Sequence, residues 1–98
     1  MLEREFENKF VRYAQSLGNL CLKLRIDGVD GFPDRTVLTA SGIFFLEFKR
    51  PGQPLRPQQR KWKKLLTGLG FTFATVESYA DAVVVLEQYL KGHTNGCQ

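Results

Sequence analysis

Three charged residues surround a segment that is typical of a buried strand. Ile43 to Leu46 are four consecutive apolar residues, and Glu47 and Lys49 continue the same strand. Asp34 stands just before the preceding strand-like segment. A carboxylate or an ammonium group is costly to bring to the edge of a core without a partner. The pattern therefore indicates a site that requires these charges.

A predicted hairpin brings the charges together. Residues 35–39 and 43–49 are strand-like, and a turn around residues 40–42, in which Gly42 can take a positive φ, joins them. This register places Asp34 opposite Glu47, and the alternation of side chains puts Glu47 and Lys49 on one face. A register shift of one residue would separate the three groups.

Two opposed carboxylates repel each other by ~3 kcal/mol at ~5 Å and an effective dielectric constant of ~20. A divalent cation offsets this repulsion better than one lysine does. Mg²⁺ is held by one or two carboxylates and bridges to phosphate oxygens, where it activates water. On this reading Lys49 orients the water or stabilises the pentacovalent phosphate. The structural alternative is a turn-forming Asp34 and a surface Glu47–Lys49 pair.

Composition predicts one small globular domain. The chain has 98 residues, of which 43% are hydrophobic and 24% are charged. No apolar run is long enough for a membrane helix, and the acidic N-terminal segment MLEREFENKF is unlike a signal peptide. Cys21 and Cys97 lack the spacing of a zinc site or a disulfide framework. We expect a cytoplasmic protein with a single domain at residues 1–92 and a disordered polar tail at 93–98.

Positive charge is concentrated in one segment. Between Lys49 and Lys64 there are seven basic residues and no acid, which is half of the chain's 14 lysines and arginines. A block of one sign indicates a polyanionic partner, although a solvated helix face would also explain it. The block consists of Lys49, Arg50, Arg56, Arg60, Lys61, Lys63 and Lys64.

The order of predicted elements is α-β-β-β-α-β-α, which implies a mixed sheet flanked by helices. The first helix covers residues 2–17, and the first strand covers 20–27 with its leucines and Ile26 facing the core. The second helix begins at Pro57 and buries Trp62, Leu65, Leu66 and Leu69. A strand at 71–76 precedes a last helix that runs through Leu90 and ends at Gly92.

The last helix carries the consecutive apolar residues 82–86. A helix that is apolar all round is buried on more than one side, and a homodimer would supply the second side. The alternative is a β-branched strand in place of the helix.

These motifs resemble those of the VRR-NUC (virus-type replication-repair nuclease) branch of the PD-(D/E)xK nuclease superfamily. The resemblance covers residues 7–90. It rests on Gly31-Phe-Pro-Asp34, on Glu47-Phe-Lys49 after a hairpin, and on Leu55-Arg-Pro-Gln-Gln59 at the start of a helix. It implies the restriction-endonuclease-like αβββαβα fold, with a mixed four-stranded sheet flanked by helices.

The resemblance also implies a site. Asp34, Glu47 and the backbone carbonyl of Phe48 would bind Mg²⁺ or Mn²⁺, and Lys49 would be the catalytic lysine. Gln59 would support the site or contact the phosphate, with Gln58 as its alternative. The family also uses a glutamate on the first helix, for which Glu7 fits better than Glu3; the structural alternative is a solvated helix acid.

The implied function is metal-dependent hydrolysis of DNA that leaves a 5′-phosphate and a 3′-hydroxyl. We expect selection of branched, four-way-junction or flapped DNA by a phage or bacterial homodimer, with no small-molecule cofactor. Arg35 and the basic block would contact phosphates, which positions nucleic acid without reading bases. The alternatives are RNA cleavage and a catalytically silent nucleic-acid-binding module on the same fold.

Overall fold

The structure, a computed structural model, describes residues 3–94, and the side chains of residues 4–92. Its elements follow the predicted order. They are α1 (Glu3–Ser16), β1 (Leu20–Leu22), β2 (Arg35–Thr39), β3 (Gly42–Phe48), α2 (Pro57–Gly68), β4 (Thr72–Val76) and α3 (Tyr79–Thr94).

The four strands form one mixed sheet in the order β1-β2-β3-β4. The first three strands are antiparallel, and β4 runs parallel to β3 after the crossover through α2. The hairpin register pairs Arg35 with Leu46. One step further along, Asp34 faces Glu47, so the predicted register is confirmed.

Strand β3 is buried on both faces because helices cover the sheet from both sides. Phe44, Leu46 and Phe48 belong to the larger core, which lies under α1 and α3. Phe45 faces the other way and joins a smaller cluster under α2. This smaller cluster consists of Phe45, Leu66 and Phe73, with Phe32 and Trp62 packed against it. Because side chains alternate, Glu47 points to the same face as Phe45, toward α2.

The prediction for the first strand was wrong in its length and in its buried face. Strand β1 ends at Leu22, and Cys21 is the residue that is buried there, with only 4% of its surface exposed. Leu20 and Leu22 are 55% and 38% exposed. The cause is α1, which packs on the face that carries Cys21 and leaves the leucine face uncovered.

The buried stripe predicted for α2 was also too wide. Leu66 is buried, and Trp62 is half-buried in the smaller cluster, but Leu65 and Leu69 are 46% and 75% exposed. Among the strands, α2 packs mainly on the edge strand β4, so only a narrow stripe of the helix meets the sheet. Leu69 lies just beyond the last residue of the helix.

The apolar run at residues 82–86 is helical, which settles the choice between helix and strand. Ala82, Leu86 and Tyr89 are buried at helical spacing, whereas Val84 on the outer side is 47% exposed. Helix α3 continues past Gly92 to Thr94, and the rest of the predicted tail, 95–98, lies outside the described residues. Within residues 3–94 no helix has the length and hydropathy needed to span a membrane.

Candidate active site

Asp34 and Glu47 meet where the β2–β3 hairpin opens. Oδ2 of Asp34 accepts a hydrogen bond of 2.8 Å from the backbone N–H of Phe48, which ties the residue before β2 to the end of β3. Glu47 is only 2% exposed. Both residues border a cavity of about 300 Å³, whose wall consists of Asp34, Glu47, Phe48, Lys49, Arg50, Gln53, Pro54, Arg56 and Gln59.

The surroundings of Glu47 disfavour its charged form. Burial is the main cause, and the neighbouring Asp34 adds to it through repulsion and hydrogen bonding, so the pKa of Glu47 rises from 4.5 to about 8. The positive charge of Arg56 opposes the shift. A carboxyl group that holds its proton at neutral pH is one that a bound cation would convert to the carboxylate.

The residues of this cavity fit a divalent cation. Oε1 of Glu47 is buried, and no N–H or O–H group in the described part of the chain donates a hydrogen bond to it. Asp34 and Glu47 can bond to each other only by sharing a proton. Buried polar atoms normally have a partner, and a cation between the two carboxylates would take the place of that proton. Carboxylate and carbonyl oxygens are the ligands that Mg²⁺ and Mn²⁺ prefer.

Phe48 contributes to the cavity through its main chain. Its ring packs against Phe6 and Phe10 on the opposite face of the sheet. Phe48 therefore borders the cavity through its backbone, and its carbonyl oxygen stays the predicted third ligand. No group of three or more histidine, cysteine, aspartate or glutamate side chains that could hold a metal occurs among residues 3–94. A cation at this site would thus rely on two carboxylates, the main chain and water.

Gln59 connects Glu47 to the start of α2. Its Oε1 accepts a hydrogen bond of 2.8 Å from the N–H of Arg56, the residue that caps the helix. Its Nε2 donates a hydrogen bond of 2.7 Å to Oε2 of Glu47. One side chain thus satisfies an orphan donor at the helix start and orients the carboxyl group of Glu47. Gln58, the alternative candidate, is exposed and does not border the cavity.

Lys49 borders the cavity and has a partner that sequence reasoning missed. Its Nζ lies 3.3 Å from Oε2 of Glu77 and donates a hydrogen bond of 3.4 Å to the carbonyl of Arg50. Glu77 also accepts the N–H of Gly52, at 3.3 Å. The predicted parallel crossover could have revealed this pair. Because Phe48 pairs with Val76, Lys49 lies beside Glu77.

Glu7 and Arg35 bond to each other, which does not support the roles predicted for them. Nε of Arg35 lies 2.7 Å from Oε2 of Glu7, and a second guanidinium nitrogen donates to the carbonyl of Cys21. Arg35 pairs with Leu46, so its side chain points to the α1 face, opposite to Glu47. The structure therefore brings Glu7 to an arginine rather than to the carboxylate pair. It also leaves the guanidinium of Arg35 occupied rather than open to phosphate.

The other basic residues lie where phosphates could reach them. Arg50 and Arg56 border the cavity of the carboxylates. Arg60, Lys63 and Lys64 border a neighbouring groove of about 460 Å³. Together with Lys61 these residues are exposed, so the basic block predicted from the sequence forms an open positive surface on and before α2.

Gly31 holds the motif segment against α2, which leads to a testable prediction. Its φ is +85°, and a Cβ atom there would lie 2.6 Å from the carbonyl carbon and from the Cβ of Gln58. Gly31→Ala therefore combines left-handed strain of about 1–2 kcal/mol with a backbone clash. We expect a loss of about 2–4 kcal/mol in the free energy of unfolding, measured by urea denaturation.

Gly18→Ala is the matched control for this substitution. Gly18 has a φ of +89°, but a Cβ atom there would meet nothing within 4 Å. We expect this variant to lose about 1–2 kcal/mol, from the backbone strain alone. Equal losses in the two variants would show that the approach of Gly31 to α2 is unimportant.

The fold and the site define a class of protein: a small α/β domain with a carboxylate pair, a lysine and a glutamine at the open end of a hairpin. No family model matches the chain, and no curated protein matches it. A solved structure described as "VRR_NUC domain" superposes with a TM-score of 0.81 at 26% identity, covering 89% of this chain and 96% of that one. Another, a "VRR_NUC domain protein", has a TM-score of 0.72 at 16% identity and covers 93% of this chain and 89% of that one.

The first of these matches supports a VRR-NUC domain, as the motifs predicted. The second match, at its lower identity, shows the shared fold alone. A nuclease-family domain is the function class that this fold suggests.

Proposed function

We propose that the protein is a Mg²⁺- or Mn²⁺-dependent endonuclease that hydrolyses DNA phosphodiester bonds and leaves a 5′-phosphate and a 3′-hydroxyl. The observation that carries the proposal is the buried Oε1 of Glu47, which receives no hydrogen bond and lies beside Asp34. Burial and Asp34 disfavour the carboxylate form of Glu47, and a divalent cation between the two groups would offset that cost.

Five residues of the cavity have a role in the proposed reaction. Asp34, Glu47 and the Phe48 carbonyl would hold the cation, which supplies Lewis-acid stabilisation of the phosphate and a more acidic water. Gln59 keeps the Glu47 carboxylate in its orientation through the 2.7 Å hydrogen bond. Lys49 stabilises the negative charge that develops on the phosphate, or orients the attacking water, from its position at the cavity wall.

Glu77 acts on Lys49 in this scheme. Its carboxylate is 3.3 Å from Nζ and also accepts the N–H of Gly52, so it fixes the lysine relative to the loop that follows β3. Glu77 is thus a positioning residue and not a metal ligand.

We further propose that the protein selects DNA by structure, with branched, four-way-junction or flapped DNA as its substrates, and that it acts as a homodimer. The basic surface contacts phosphates, which every DNA sequence offers alike. The exposed Val84 on the apolar α3 is consistent with a second copy at that helix. On the family resemblance, we place this single domain in the cytoplasm of a bacterium or of a phage-infected host.

The experiment that tests the proposal is a cleavage assay with Mg²⁺ and with Mn²⁺ on a labelled panel. The panel contains a four-way junction, a flap, a nicked duplex, a duplex, a single strand and RNA. We expect metal-dependent products from at least one branched substrate and none from Glu47→Ala. Binding without cleavage, unchanged by the substitution, would instead indicate a silent nucleic-acid-binding module. Preferential cleavage of RNA would change the substrate class.

The basic surface gives a second prediction. Each phosphate contact makes the slope of log K against log salt concentration steeper by about 0.9 on duplex DNA. We expect the double variant Lys63→Gln/Lys64→Gln to make that slope shallower by about 2 and to weaken binding alike for all sequences. Fluorescence anisotropy over a range of salt concentrations measures it.

The control for this variant removes the same charge elsewhere. Arg4 and Arg12 are exposed on α1, and Arg4→Gln/Arg12→Gln should leave the slope unchanged. An equal effect of the two double variants would mean that net charge, rather than the α2 surface, attracts the nucleic acid.

A further inference from the structure

A second cavity adjoins the carboxylate site. It has a volume of about 380 Å³, within the usual range of about 300–1,000 Å³ for small-molecule sites. Asp34, Arg56 and Gln59 border both cavities, so the two are in direct contact across these side chains. Residues between Leu24 and Phe32 form the remaining wall of the second cavity. None of these wall residues has a role in the proposed chemistry.

The wall of the second cavity is built before any ligand arrives. The carbonyl of Ile26 accepts the N–H of Val29 at 3.1 Å, which closes a β-turn with Gly28 at a φ of +78°. Further on, the contact of Gly31 with Gln58 fastens the segment to the first turn of α2. The wall and Gln59 are therefore held by the same helix start.

The chemistry of this wall fits a flat heterocycle with polar edges. Leu24 and Ile26 lie beyond the end of β1 and are 41% and 45% exposed, so they offer apolar surface at the cavity. Arg25, Asp30 and Arg56 add hydrogen-bond donors and acceptors around it. The wall surface is therefore mostly polar, which suits the hydrogen-bonding edges of a heterocycle, and the aliphatic side chains supply a smaller apolar surface for its face.

We propose that this cavity receives one unstacked nucleobase of the substrate strand, from the nucleotide next to the scissile phosphate. The inference rests on the proposed function, because the phosphate must lie at Asp34 and Glu47 for its neighbour to reach the second cavity. A base in an intact duplex is stacked and paired and enters a protein cavity only after leaving the stack. The cavity thus selects DNA in which this nucleotide is unpaired, as it is at a flap or a branch point.

The test uses flapped oligonucleotides that carry 2-aminopurine, a base whose fluorescence rises when it leaves the stack, at successive positions around the branch. Binding is measured in EDTA, so that nothing is cut. The test variant is Ile26→Ala, and its matched control is Ile43→Ala at a residue that is 40% exposed and does not border the cavity. Cleavage of the same oligonucleotides in Mn²⁺ is followed in parallel.

We expect the fluorescence of one position to rise severalfold on binding, next to the bond that Mn²⁺ allows to be cut. Ile26→Ala should reduce the rise and weaken binding about three- to tenfold, since it removes apolar surface from the base, while Ile43→Ala should match the wild type. Cleavage with a flat fluorescence scan, or equal signals from the two variants, would overturn this inference alone. Binding with the fluorescence rise but without cleavage would support the cavity and overturn the nuclease. Loss of both binding and cleavage would overturn both.

Discussion

Glu47→Gln is expected to reduce metal-dependent cleavage by a factor on the order of a thousand or more. Lewis-acid stabilisation of a phosphate contributes several kcal/mol, and each 1.36 kcal/mol is a factor of about ten in rate. Glutamine keeps the size of the side chain and can still accept the hydrogen bond from Gln59. The variant should therefore stay folded, and the loss should appear as a lower rate constant of cleavage in single-turnover assays with Mn²⁺.

The same substitution has a second expected effect, on the pH dependence of stability without metal. The folded-state pKa of Glu47 is raised from 4.5 to about 8, so between these values the folded protein holds a proton that the unfolded chain has lost. The free energy of unfolding of the wild type should therefore fall as the pH rises from about 4.5 to about 8, and this contribution should level off above that. Glu47→Gln should remove this decline and be the more stable protein at about pH 8.

Urea denaturation in EDTA across this pH range measures the effect. The control is Glu87→Gln, which changes an exposed glutamate on α3 and should follow the wild type. If the wild type and Glu47→Gln show the same pH dependence, Glu47 is not the buried, protonated group described above.

Lys49→Met is expected to lower the rate of cleavage about 100- to 1,000-fold, the usual cost of removing one group that stabilises a developing negative charge. Methionine preserves much of the length of the aliphatic stem but removes the charge. The proposed cation site consists of Asp34 and Glu47 and does not include Lys49, so stabilisation by Mn²⁺ in thermal melting should persist. DNA affinity should change only a few-fold, because the other residues of the basic block remain.

This combination separates an enzyme from a binding module. In a silent module Lys49→Met and Lys61→Met should behave alike, since each removes one positive charge from the basic block. A Lys49→Met variant that cleaves at the rate of Lys61→Met would show that the lysine beside the carboxylates has no part in the reaction.

The carboxylate pair could be predicted from the sequence because it depends on local rules. A short turn sets the hairpin register, and alternation along a strand decides which side chains share a face. The structure confirms that register, from Arg35 opposite Leu46 to Thr39 opposite Gly42. For Gln59 the sequence offered only the family resemblance, which implied a place in the site. In the structure its Oε1 accepts the N–H of Arg56 at the start of α2, and its Nε2 donates to Glu47.

Residues whose position depends on distant packing were not predicted. The alternating pattern of residues 20–27 looked like a strand with a buried leucine face, but α1 covers the other face and buries Cys21. The same packing places Glu7 beside Arg35. Glu77 approaches Lys49 only because β4 pairs with β3 in parallel, and that pairing joins segments separated by the whole of α2. In each case the periodicity of the sequence predicts the helix or strand. Which of its side chains are buried or paired depends on the element that packs against it.

The most direct test of the central claim is a calorimetric titration of Mn²⁺ into the metal-free protein. It is carried out at about pH 6.5 in two buffers of different ionisation enthalpy, which reports the protons released on binding. Because Glu47 holds its proton at that pH, we expect binding with release of about one proton per Mn²⁺, and no binding by Glu47→Gln. Failure of the wild type to bind Mn²⁺, or binding that is unchanged by Glu47→Gln, would contradict a cation site formed by Asp34 and Glu47.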